Sequence, residues 1–230
     1  MEATHSSPTA VARQSVDVRA TFITRTYTHV LGAMIGFALI EAVLFQTGIA
    51  HVIAQAFLGV NWLFVLGGFM IVGWLASRTA HTTASKPAQY AALAGFVAAE
   101  ALIFVPLLFI AQAVAPGVIR SAALVTLIGF TGLTAVAVTT RKDFSFLGGI
   151  LRWGFVVALV LIVAGVIFGF ELGTFFSVAM IALAGGAILY DTSNILHHYP
   201  EDRYVGAALE LFASVALMFW YVLRLFISRD

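Results

Sequence analysis

Cysteine is absent from this chain of 230 residues. That excludes disulfides, thiolate catalysis and cysteine metal sites together. Charge is nearly as scarce, at 10% of residues against about 25% in an ordinary soluble domain. The few cations are scattered, with no basic stripe of the kind that meets nucleic acid, so DNA or RNA binding is not expected. Soluble-enzyme signatures are missing too: no phosphate-binding glycine loop, no GxSxG and no HExxH helix. No nucleophile–base or metal constellation is visible, so the chain is not expected to be an enzyme or to carry a cofactor.

What is there is apolar. Hydrophobic residues make up 61% of the chain, too many for a water-soluble surface to cover, so this reads as an integral membrane protein embedded in a lipid bilayer. A crossing helix needs about 20 mostly apolar residues. Seven stretches qualify, at Tyr27–Gly48, Val60–Arg78, Gln89–Ala113, Arg120–Thr140, Leu147–Phe168, Leu172–Asn194 and Tyr204–Ser228. The expected fold is therefore all-α, a polytopic bundle of seven transmembrane helices over residues 25–230. Residues 1–24 are mixed polar, with Arg13, Asp17 and Arg19, and read as a mobile tail without a signal peptide. Ala50–Gly59, with His51 and Gln55, reads as an interfacial segment. Runs of small residues such as Gly67-Gly68, Gly148-Gly149 and Ala184-Gly185-Gly186 read as close-packing surfaces between helices.

Basic residues accumulate in cytoplasmic loops. With the tail inside, the inner segments hold Arg13, Arg19, Arg25, Arg78, Lys86, Arg141, Lys142, Arg152 and Arg203, and the outer ones Arg120, Arg224 and Arg229. Nine against three predicts a cytoplasmic N-terminus and, after seven crossings, an external C-terminus. A re-entrant last helix would instead return the C-terminus inside.

Ionisable groups inside apolar spans are costly and tend to mark function. Glu41 and Glu100 fall near the middles of the first and third spans. They are candidates for an ion path, or simply acids bonded to a neighbouring helix. The C-terminal hairpin, Ile188 to Arg229, turns around Pro200 and Glu201. Counting outward sets Asp191 level with Glu210 to Ser214. Asp191 reads either as half of an ion pair closing the bundle, with Arg78 or Arg152 on the same side, or as a gate. Glu210 either shares a coupled carboxylate pair with Asp191 or turns away to Arg203. His197 and His198 are adjacent and not at the i, i+4 spacing of a one-face metal pair, which favours ordinary interfacial or pH-responsive histidines.

The hairpin resembles the Bax inhibitor-1 family. The residues that carry the resemblance are Tyr190-Asp191-Thr192, Tyr204, Ala207-Ala208-Leu209, Leu211-Phe212, Phe219 and Leu223. The resemblance implies a seven-helix bundle in the bacterial cytoplasmic membrane, with the last helix central and wrapped by the other six. It also implies a pH-sensitive calcium leak, calcium being the transported species. In such a leak an acid of the sixth helix pairs with an aspartate of the seventh. Asp191 matches the first acid, but Ser214 stands where the second is expected and Leu217 where an asparagine follows. A second branch of the family binds and modulates the membrane-anchored FtsH-type AAA protease, a role that does not need the acid pair. A polar N-terminal tail is a segment such a protease could engage.

Overall fold

The computed structural model describes residues 10–114, 116–140 and 142–228. Eight α-helices follow in order: α1 (Val16–Gln46), α2 (Ile49–Leu58), α3 (Trp62–Thr82), α4 (Lys86–Val114), α5 (Val118–Thr140), α6 (Leu147–Phe168), α7 (Gly173–His197) and α8 (Tyr204–Ile227). Short 3-10 turns precede α1, at Val11–Arg13, and α8, at Glu201–Arg203. Among the described residues seven helices, all but α2, are long and apolar enough to cross a membrane. The protein is an all-α polytopic membrane protein.

The tail expected over residues 1–24 is the main departure. Residues 1–9 lie outside the described residues, but α1 starts at Val16, well before Tyr27. Its polar residues conceal a helical face on which Phe22, Thr26, Val30 and Ala33 are buried at three- and four-residue steps. Ahead of it, Val11 is fully buried, and its amide donates to the Tyr199 carbonyl at 2.9 Å. Ala10 bridges Pro200. Residues 10–24 are therefore built into the bundle.

The segment between the first two spans, expected to be interfacial, forms the short helix α2. Gly48, at φ 79°, turns the chain into it, and Ala50 and Ala54 close against Val105 of α4. Asn61 caps α3 by accepting from the Leu63 amide at 2.9 Å.

α8 is the most enclosed span, buried along most of its length. It packs against α1, α3, α4, α5 and α7, while α6 leans mainly on α7. Around it, Phe104 meets Trp220 edge-on at 4.9 Å and stacks on Phe219 at 5.5 Å. Such contacts matter in a bilayer, where burial against lipid-like neighbours brings little hydrophobic gain and shape-matched packing drives association. The small residues divide. A Cβ on Gly148 would sit 2.9 Å from the Tyr190 ring, and one on Gly186 3.2 Å from Leu151, whereas Gly67, Gly68 and Gly149 face open space.

The end of the bundle that holds the hairpin turn is tied together by polar contacts. Arg203 Nη1 donates to the Thr83 carbonyl at 2.6 Å. Lys86 Nζ donates to the Asp202 carbonyl. His198 Nε2 meets Asp143 Oδ2 at 3.0 Å. The turn thus holds the connection from α3 to α4, the connection from α5 to α6, and the segment before α1.

Candidate functional site

α7 and α8 run antiparallel with extensive contact, which sets their inward polar residues opposite one another. Asp191 lies six residues before the end of α7, about 9 Å of helix rise from that end. Ser214 lies at matching depth on α8, and its hydroxyl donates to Asp191 Oδ2 at 2.5 Å. Next to Asp191, Thr192 Oγ1 accepts from the Tyr27 hydroxyl at 3.4 Å, joining α1 to the same layer.

One turn nearer the hairpin, Glu210 turns towards α3. Ser77 Oγ donates to its Oε1 at 2.6 Å, and His81 Nδ1 lies 3.8 Å from the same oxygen. His81 Nδ1 is 2.8 Å from the Ser77 carbonyl and Nε2 is 3.2 Å from the Tyr199 hydroxyl. A carbonyl can only accept, so in the neutral ring Nδ1 carries the proton and Nε2 accepts from Tyr199. Burial pushes the Tyr199 hydroxyl above its ordinary value, and the carboxylates Glu210 and Asp191 push it further, which keeps the phenol a donor. Gly206 makes this approach of α3 to α8 feasible. A Cβ there would lie 3.1 Å from two atoms of the His81 ring and 3.3 Å from the Ala80 carbonyl.

Several expected partnerships are replaced. Glu210 does not pair with Arg203, whose guanidinium is taken by Thr83 and by Asp202 at 3.3 Å. Asp191 does not pair with Arg78, which lies over the Trp74 ring at 5.2 Å and joins none of the ion pairs among the described residues. Arg152 is likewise in none of them. Apolar counting gives depth along a helix but not rotation about it, and rotation decides these pairs. Glu41 and Glu100 are both buried, at 7% and 6% exposure, and both oxygens of Glu41 lack any hydrogen-bond partner.

Ser77, His81 and Tyr199 were not singled out from the sequence. The available signal was topological: alternation of spans returns the end of α3 to the side of the hairpin turn. A second cluster escaped in the same way. Asp143, between α5 and α6, accepts from the Ser145 amide at 2.9 Å and from Ser193 Oγ at 3.3 Å, and it pairs with His198. The Ser145 amide first, and His198 after it, hold the Asp143 carboxyl down at about 2. Phe144 N in turn donates to Ser193 Oγ at 2.8 Å. Of the two hairpin histidines, His198 latches this loop, and His197 Nδ1 bonds back to the Ser193 carbonyl at 2.9 Å.

The site is thus a ladder of oxygen groups linking α7 to α8 and α8 to α3, with Asp191 and Glu210 on different partners. Among the described residues no three His, Asp or Glu side chains converge as a metal set. The family model described as "Inhibitor of apoptosis-promoting Bax1" matches residues 19–230, nearly the whole chain and all of the ladder.

The chain belongs to the Bax inhibitor-1 family.

Within the Bax inhibitor-1 family it is similar to "Modulator of FtsH protease YccA" of Escherichia coli strain K12, 35% identical over 154 residues, which is 65% of this chain and 70% of that protein. An uncharacterized Pseudomonas aeruginosa protein is 37% identical over 112 residues, 47% of this chain and 49% of its own length. The match to the "Golgi anti-apoptotic protein" of Vaccinia virus strain Lister is more distant but longer, 24% over 220 residues, covering 94% of this chain and 89% of the viral one.

Proposed function

We propose that this Bax inhibitor-1 family member modulates a membrane-anchored AAA protease of the FtsH type in the bacterial cytoplasmic membrane, with its N-terminus and hairpin turn facing the cytoplasm. The observation that carries the reading is the partner of Asp191. It is bonded to Ser214, a hydroxyl that carries no charge near neutral pH, so a switch made of two titrating acids is not assembled at this point. A protease modulator needs no such switch, and the relative of that printed function is 35% identical over two thirds of this chain. The excess of cations on the hairpin side favours the cytoplasmic assignment of that end. The seating of Val11 on Tyr199 brings the N-terminal segment to the same end, where a cytoplasmic protease domain would meet it.

The test is affinity capture of the full-length protein from native membranes. FtsH-type protease should co-purify and the turnover of its membrane substrates should slow, while deletion of residues 1–9 should weaken both effects. Recovery of the protein without the protease, at native expression level, would refute the reading.

A second reading, a proton-gated calcium leak, draws support from the oxygen ladder. Calcium takes several hard oxygen ligands, and the Glu210 side chain is 37% exposed beside Ser77 and His81. Asp191 would then hold α7 to α8, and Glu41 and Glu100 would line the path. Calcium flux into proteoliposomes should change on acidification and on Asp191→Asn. Equal flux for both proteins at every pH would eliminate this reading.

A further inference from the structure

We propose that the cleft between the start of α1, the hairpin turn and the start of α4 binds the headgroup of an aminophospholipid. The lipid phosphate sits between Arg25 and Lys86 above the Tyr204 ring, and its ammonium sits at Asp17 and Glu201. The cleft has a volume of about 450 Å³ and lies where α1, α4 and α8 all reach the polar end of the bundle. Asp17, Val18, Thr21, Phe22 and Arg25 line it from α1, a set spaced to share one helical face.

Its floor is organised around Tyr204. That residue is 7% exposed, and its hydroxyl is fixed by the Tyr90 hydroxyl at 2.8 Å. Two cations converge on this one ring, Lys86 Nζ at 4.3 Å from the centroid and Arg25 Cζ at 5.5 Å. Aromatic faces attract cations, but two like charges over the same ring still repel each other. A carboxylate between them would relieve that repulsion, yet neither cation joins an ion pair among the described residues, and the nearby Asp202 carboxylate belongs to Arg203. Lys86 spends two donors on the Asp202 carbonyl and on Gln89 Oε1, leaving a third for a ligand. A phosphate satisfies the Arg25 fork and the Lys86 point charge together.

The two acids select among phosphates. Asp17 and Glu201 are exposed at the rim, and neither joins an ion pair among the described residues. They oppose a purely anionic headgroup or free phosphate and accept the compact ammonium of an aminophospholipid. A quaternary amine, with no N–H to donate, pairs less well. The depth fits a membrane lipid: the spans end here, at the level where Tyr, Lys and Arg side chains meet headgroups.

Native mass spectrometry of the delipidated full-length protein, titrated with dioleoyl-phosphatidylethanolamine, tests this directly. Wild type should retain one lipid in preference to the phosphatidylcholine and phosphatidylglycerol analogues, and millimolar inorganic phosphate should not displace it. The Arg25→Gln/Lys86→Gln variant should bind about tenfold more weakly, since each cation near a headgroup contributes modestly. Asp17→Asn/Glu201→Gln, confined to exposed positions, should shift preference towards phosphatidylglycerol, and Tyr204→Phe, which keeps the ring, should retain the lipid. Unchanged retention in the cation variant, equal binding of phosphatidylcholine, or displacement by inorganic phosphate would each overturn the proposal.

Discussion

Ser214 donates to Asp191 at 2.5 Å across the α7–α8 interface and stands where the family resemblance implies a second acid. The bond is short because its acceptor is a carboxyl oxygen, and the hydroxyl has no competing partner in the ladder. A single hydroxyl therefore decides whether this layer of the bundle behaves as a fixed tie or as a titrating pair.

Replacing Ser214 by alanine should lower stability by about 1–3 kcal/mol, because the partly buried Asp191 oxygen loses its donor. Ser214→Asp should behave differently. Two carboxylates in contact repel when both are ionised, so this variant should lose stability as pH rises from 5 to 8 relative to wild type. Melting in detergent across that range checks both. A flat difference between Ser214→Asp and wild type would show that the two groups no longer touch.

Asp143 gives a pH dependence at the hairpin end. Its carboxyl is held at about 2, below the ordinary aspartate value of 3.8, so its stabilising effect is present above pH 4 and is lost as pH falls through 2. Asp143→Asn removes the charge while keeping an oxygen for the Ser145 amide. The gap in melting temperature between wild type and Asp143→Asn should be widest above pH 4 and should close towards pH 2. The carboxylate is nearly half exposed, which keeps the gap small.

Gly206→Ala should cost about 1–3 kcal/mol, since its Cβ would press on the His81 ring and the Ala80 backbone together. The displaced imidazole should also release Tyr199, so the hairpin turn should become more open to protease cleavage. Limited proteolysis alongside melting separates this from a uniform loss of packing.

Glu41 has both carboxyl oxygens buried without a partner, an arrangement that costs stability whatever its role. Glu41→Leu should raise the melting temperature. If Glu41 lines an ion path, the same variant should lose calcium flux; a stabilised variant with unchanged flux would mark the residue as a passenger.

The spans were legible because a window of about 20 apolar residues is a strong signal for a membrane-crossing helix. The hairpin was legible because counting outward from Pro200 and Glu201 sets Asp191 at the depth of Glu210 to Ser214, and the structure pairs it with the deeper of the two. The start of α1 was not, since Arg13, Asp17 and Arg19 dilute the apolar face carried by Phe22, Thr26 and Val30. Nor were the partners of Glu210. Ser77 is 133 positions away, on a helix whose rotation nothing in α8 reports. Besides the Ser77 carbonyl one turn back on its own helix, His81 meets Glu210 of α8 and Tyr199 before the hairpin turn, and neither is near it in the sequence. Depth in the membrane is written locally; azimuth is written by the whole bundle.

The seating of Val11 on Tyr199 gives the N-terminus a mechanical meaning. The Ala10–Pro200 bridge, closed by the Val11 amide on the Tyr199 carbonyl, and the buried Val11 side chain stand between a pull on the N-terminal segment and the hydroxyl that holds His81. A machine that drags chains inward would strain that clasp before it strained any transmembrane helix. Such a pull would meet the hairpin turn and the Tyr199–His81 contact beside Glu210 first.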